Sequence, residues 1–169
     1  MTELTDFRIA KDEFFREDHQ ASLSHDQQQD FGGLNYFDEN DDLRIVAKPE
    51  LFDDREIVDV QTNTGDIARY VRWGRITFDV DGQDASLTLF MDGEAGEIFL
   101  PFADGTSGKE TYGAGRYLEV QHLHDGSLLV DFNYAYNPYC AYNEGWSCPR
   151  TPFENRIAPA IRAGETNFK

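Results

Sequence analysis

Two cysteines, Cys140 and Cys148, stand with seven residues between them in the stretch DFNYAYNPYCAYNEGWSCPRTPFENR (131–156). Thiols so placed have three chemistries open to them. Structural zinc takes four ligands, usually with cysteine pairs at tight spacing. Two cysteines fall short of that, and His122 and His124 only flank a turn, so Cys140 and Cys148 are weak metal candidates and no cofactor is expected. A disulfide would close a short loop and stabilise by about 2.6 kcal/mol on the chain-entropy account, but a reducing cytosol disfavours it. A nucleophilic cysteine needs a nearby base, and none is adjacent. Two buried free thiols are therefore expected.

The same stretch carries polar groups that suit a ligand pocket. Asp131 and Asn133 point to one side of their strand, opposite Val130 and Phe132. Glu154, Asn155 and Arg156 follow a Pro-bounded loop, and Glu165 follows Gly164. If the loop folds back over the sheet, Asp131, Glu154 and Arg156 meet. They would then form a buried ion-pair network, or the wall of a pocket with shifted proton affinities. Tyr136 and Asn137 join them as ligand-binding candidates. Tyr134, Tyr136, Tyr139, Tyr142, Trp146 and Phe153 supply either a stacking platform for a ring-shaped ligand or plain core.

GTSGKETYGAG (105–115) has four glycines and a lysine. It lacks the glycine-to-Gly-Lys-Ser/Thr spacing of a phosphate-binding Walker loop. Its glycines permit close backbone approach and anion-binding turns, which puts Lys109, Glu110 and Arg116 on a pocket rim. Arg69, Arg72 and Arg75 lie among acidic residues and read as a solvated face.

The elements that must position these groups are mostly strands. Residues 5–23 read as an amphipathic helix with Phe7, Ala10, Phe14 and Ala21 on its apolar face, widened by Phe15. His19 and His25 read as solvated. Phe31, Leu34, Tyr36 and Phe37 pin the next connector to the core. Strands are predicted over 43–47, 56–62, 68–80, 85–91, 97–102, 116–123 and 127–133. A bulge is expected at Gly74, where the alternation changes phase, and turns at 63–65, 81–82, 92–96 and 124–126. Residues 157–163 read as a last edge strand. The predicted fold is a single domain: a small antiparallel β-barrel or strongly curled sheet with an N-terminal α-helix, with a β-sandwich as the alternative.

Composition narrows the setting. The net charge is −17, from 32 Asp and Glu against 15 Lys and Arg. Such a charge repels itself in dilute buffer and is screened in concentrated salt, which predicts a halophile's protein. It disfavours nucleic acids and anionic membranes as partners. Residues 1–105 carry net −16 and residues 106–169 only −1, so the last third is expected to be largely buried or to line a pocket. An acidic start and the lack of a long apolar run predict a cytoplasmic protein.

FADGTSGKETYGAGRYL (102–118), DFNYAYNPYCAYNEGWSCPRTPFENRI (131–157) and AGE (163–165) follow one another in order, with DFGGLNYF (30–37) upstream. Together they resemble the domain-of-unknown-function family 1684, most strongly over residues 100–165. The resemblance implies a fold unit and a site, and no particular activity. The chain departs from the family's Pro-rich pattern at Asn143-Glu144-Gly145 and Arg150-Thr151, and lacks the longer N-terminal part of many bacterial members. The functional expectation is a small-molecule-binding β-barrel module with a polar pocket near the 131–156 loop. The alternatives are a hydrolase with a carboxylate general base and a protein-interaction module.

Overall fold

In the computed structural model, residues 3–18, 23–92, 97–142, 146 and 148–168 are described. β4 (Ile67–Val80) and β5 (Gln83–Asp92) form the longest hairpin. It turns at Asp81 and Gly82, with φ of 51° and 82°, the left-handed pair whose twist matches the flanking strands. The bulge expected at Gly74 is present, since the register with β5 shifts between Arg72 and Gly74. A Cβ at Gly74 would stand 3.0 Å from the Glu50 carbonyl of β2 (Glu50–Leu51). The bend and the close approach of β2 both favour glycine there.

The other strands are β1 (Arg44–Ala47), β3 (Ile57–Gln61), β6 (Ile98–Phe102), β7 (Arg116–His122) and β8 (Leu128–Asp131). All pairings are antiparallel, in the order β1-β8-β7-β6-β5-β4-β2, with β3 also on β4. The sheet curls until β1 comes back beside β4. The result is a curled half-barrel rather than a sandwich of two sheets. Alternate side chains fill its inside: Ile76, Leu87, Leu89, Leu100, Leu128 and Val130 are almost wholly buried. Their neighbours in sequence face outward, as the pleat requires.

α1 (Glu3–Glu17) is shorter than the predicted 5–23 span; His19 and Ala21 lie outside the described residues. Its inward face also differs from the predicted one. Phe7 and Phe14 stay partly exposed, while Leu4 and Phe15 are buried with Arg8 and Lys11 on the same side. Two cations face inward because partners wait for them. Arg8 lies over the Tyr36 ring, 4.3 Å from its centroid, and Lys11 reaches the buried Glu165. Apolar periodicity cannot register a face built this way. A five-residue helix, α2 (His25–Gln29), was not predicted; Ser24 and Gln27 cap it reciprocally. Phe15, Leu23, Leu34 and Tyr142 then form a second small core, with Phe31, Tyr36 and Phe168 against it.

The predicted strand at 157–163 is absent. Arg156 bridges Ala103, the Ile157 N–H bonds the Ala103 carbonyl and the Gly105 N–H bonds the Pro159 carbonyl, contacts that do not extend into a ladder. Beyond that the carbonyls of Ile161, Ala163 and Glu165 accept from the Arg116 guanidinium. A buried arginine thus does for this segment what a neighbouring strand would have done.

Candidate functional site

The C-terminal segment is locked by one buried polar network. Arg116, wholly buried on β7, donates to the three carbonyls just named and lies 3.6 Å from Asp104 Oδ1. Burial lowers its proton affinity, and the charges of Asp104 and Glu165 oppose that, so the guanidinium is held by its partners. Asp104 in turn accepts from the Ile161 N–H at 2.6 Å and from Thr106 and Ser107. The start of the glycine-rich loop is therefore folded around the Asp104 carboxylate. Glu165 accepts from Lys11 Nζ at 2.9 Å, from the Asn137 N–H at 3.0 Å and from the Tyr142 hydroxyl. Burial, then the Glu165 charge, pushes the Tyr142 phenol well up. Tyr142 therefore remains a donor to a carboxylate whose two oxygens are both engaged.

Two of the predicted site asparagines are structural latches. The buried Asn155 accepts from the Thr88 N–H and donates to the carbonyls of Thr88 and Pro101, each at 2.8 Å. Asn133 ties β8 to the Asn40 turn, donating to the Asn40 carbonyl at 3.0 Å and accepting its N–H at 2.9 Å. Asn137 is also buried and holds the Thr166 carbonyl at 2.9 Å.

Asp131, Glu154 and Arg156 do not meet. Glu154 takes a two-pronged bond from Arg72 at 3.1 and 2.9 Å. Asp131 caps the turn at Asn133 and lies 3.8 Å from Arg44. Arg156 is exposed. The loop folds along β6 through Ala103 and so turns Arg156 outward. Lys109 and Glu110 are exposed too, Glu110 pairing with Arg162 at 3.3 Å, and neither approaches Arg116 by a hydrogen bond. Of the six aromatic residues read as a platform, Tyr142 is core and Phe153 is exposed.

What the fold does assemble is a groove of about 730 Å³ between α1 and the outer face of β7 and β8. The register sets Gln121 opposite Leu129, and these outward positions alternate with the core residues Val120, Leu128 and Val130. Phe7 of α1 meets Tyr134 edge-on, with ring centroids 5.0 Å apart; Tyr136 and Tyr139 complete the aromatic lining. The Tyr136 hydroxyl donates to Glu119 at 2.6 Å, and burial followed by the Glu119 charge raises its proton affinity. Glu3, Glu39, Asp41, Glu119 and Asp131 line the groove against Lys11 and Arg44. Since Lys11 is committed to Glu165, the lining is net acidic. Asp131, Asn133 and Tyr136 of the predicted site are here; Phe7, Glu119 and Leu129 were missed. Phe7 was missed because apolar periodicity places it on the core-facing stripe of α1, whereas the helix buries Leu4 and Phe15 instead.

Cys140 and Cys148 are both free thiols. The Cys140 N–H donates to Cys148 Sγ at 3.4 Å. Among the described residues no group of three or more His, Cys, Asp or Glu could hold a metal ion. No helix among them is long and apolar enough to cross a membrane.

A curled antiparallel half-barrel with a helix laid across its outer face, and a groove beneath that helix, defines the class. The chain belongs to the family described as "Protein of unknown function (DUF1684)", which it matches over residues 29–166. It is similar to an uncharacterised protein of Haloarcula marismortui with a solution NMR structure. The two are 37% identical over 97% of this chain and 92% of that one, with a TM-score of 0.73. None of the curated proteins matches the sequence.

Proposed function

We propose that the protein is a small-molecule-binding module whose ligand lies in the groove between α1 and β7–β8. The observation that carries this reading is the groove itself, whose 730 Å³ falls within the roughly 300–1,000 Å³ of small-molecule sites. Its lining suggests the ligand class. Four aromatic rings offer stacking faces, and five carboxylates outnumber the two cations, Lys11 and Arg44, which are paired with Glu165 and Asp131. A ring-bearing amine or similar organic cation fits that chemistry. The −17 net charge supports a working environment of concentrated salt, where only a ligand with apolar contacts as well as charge is held.

The test is thermal melting in molar KCl against a panel of ring-bearing amines, with wild type beside Leu129→Trp, which fills the groove from its floor. The reading predicts that at least one amine raises the wild-type melting temperature and leaves the variant unmoved. An equal response in both proteins, or none in the wild type, would count against it.

A further inference from the structure

The two thiols are placed for chemistry that the groove does not use. Each is held by a different part of the fold. Cys148 is pinned to the turn between β3 and β4, its N–H donating to Asn63 Oδ1 at 2.7 Å and its carbonyl accepting the Asn63 N–H at 3.1 Å. Cys140 lies in the 3-10 turn Tyr139–Ala141, where the Tyr112 hydroxyl donates to its sulfur at 3.7 Å. The 3.4 Å bond from the Cys140 N–H to Cys148 Sγ brings the two anchors together.

The pair is also asymmetric. Cys140 is half-buried and Cys148 buried. The hydrogen bond with Cys148 draws the Cys140 thiol down to about 6, with burial opposing and Tyr112 assisting. The same bond, then burial, pushes Cys148 up. A half-buried thiol whose ionisation is favoured stands beside a sheltered thiol whose ionisation is disfavoured, the division of labour that thiol–disulfide exchange requires.

We propose that Cys140 and Cys148 are a reversible dithiol–disulfide couple that reacts with low-molecular-weight disulfides, Cys140 attacking and Cys148 resolving. The Cys140 thiolate attacks one sulfur of a disulfide RSSR. A new S–S bond forms, the old one breaks, and RS⁻ leaves and takes up a proton as RSH. Cys148 then loses its proton and attacks Cys140 Sγ, releasing the second RSH. Two protein thiols are oxidised and one RSSR is reduced to two RSH. The resulting bond ties the turn carrying Tyr139, which lines the groove, to the β3–β4 turn.

The experiment is incubation of the folded wild-type protein with oxidised glutathione in molar KCl, read by intact mass and peptide mapping. The expected result is loss of two hydrogens, both thiols protected from iodoacetamide, and full recovery with dithiothreitol. Cys148→Ser is expected to accumulate glutathione on Cys140. Cys140→Ser is expected to react at least about tenfold more slowly than Cys148→Ser. The proposal is overturned if wild type keeps both thiols, carries glutathione on each without an internal bond, or is modified first at Cys148. The wild-type readout needs no substitution, so it stands even if a variant fails to fold.

Discussion

The Lys11 ammonium lies 2.9 Å from Glu165 Oε2 across 154 positions of sequence. This contact fixes α1 against the C-terminal segment and so sets one wall of the groove. Lys11→Met leaves Glu165 buried without its cation. Breaking a buried pair by removing one partner costs roughly 3–5 kcal/mol. The Tyr142 and Asn137 donors remain, so the lower end, about 3 kcal/mol, is expected. Denaturant midpoints in high salt give the value, and a loss under about 1 kcal/mol would mean that the ammonium is dispensable to the packing of α1.

Arg116 and Arg156 should differ sharply. Arg116→Ala removes the donor to three carbonyls and the partner of Asp104, and is expected to abolish soluble expression or to cost more than about 4 kcal/mol. Arg156→Ala, at an exposed position, should stay within about 0.5 kcal/mol of wild type. Similar effects from the two, by urea denaturation, would contradict the locking role of Arg116.

Asn155→Asp tests the latch between β5 and β6. The new carboxylate would face the carbonyls of Thr88 and Pro101, which now accept from the amide. A loss of roughly 3 kcal/mol or more is expected, with faster amide exchange at Thr88. Wild-type stability at neutral pH would show that the latch bears no strain.

Salt should raise stability. At a net charge of −17, carboxylate repulsion is strong in dilute buffer and screened over about 3 Å at 1 M. The melting temperature is expected to climb steadily from low to molar KCl. A flat profile would remove the argument for a high-salt setting.

Strands were legible because period-2 alternation and turn residues such as Asp81-Gly82 are local signals. The bulge at Gly74 was legible from the change of phase it forces. The Asp131/Glu154/Arg156 cluster was misread because pairing depends on which way a loop turns, and sequence proximity to Arg156 said nothing of Arg72. Arg116 was named as a rim residue, but the three carbonyls that bury it lie about 45 residues on. The groove depends on where α1 lands, and that is decided by Lys11 and Arg8, charged residues that a hydrophobic pattern assigns to the outside.

The most direct measurement is a two-dimensional amide NMR titration of the folded protein with the amine that best raises its melting temperature. If none does, the richest ring-bearing amine of the panel at solubility limit serves. Saturable shifts at Phe7, Glu119, Gln121, Leu129 and Tyr134, absent in Leu129→Trp, are the result predicted for a ligand held between α1 and β7–β8. Shifts confined to other residues, or none at all, would contradict the assignment of the groove as the binding site.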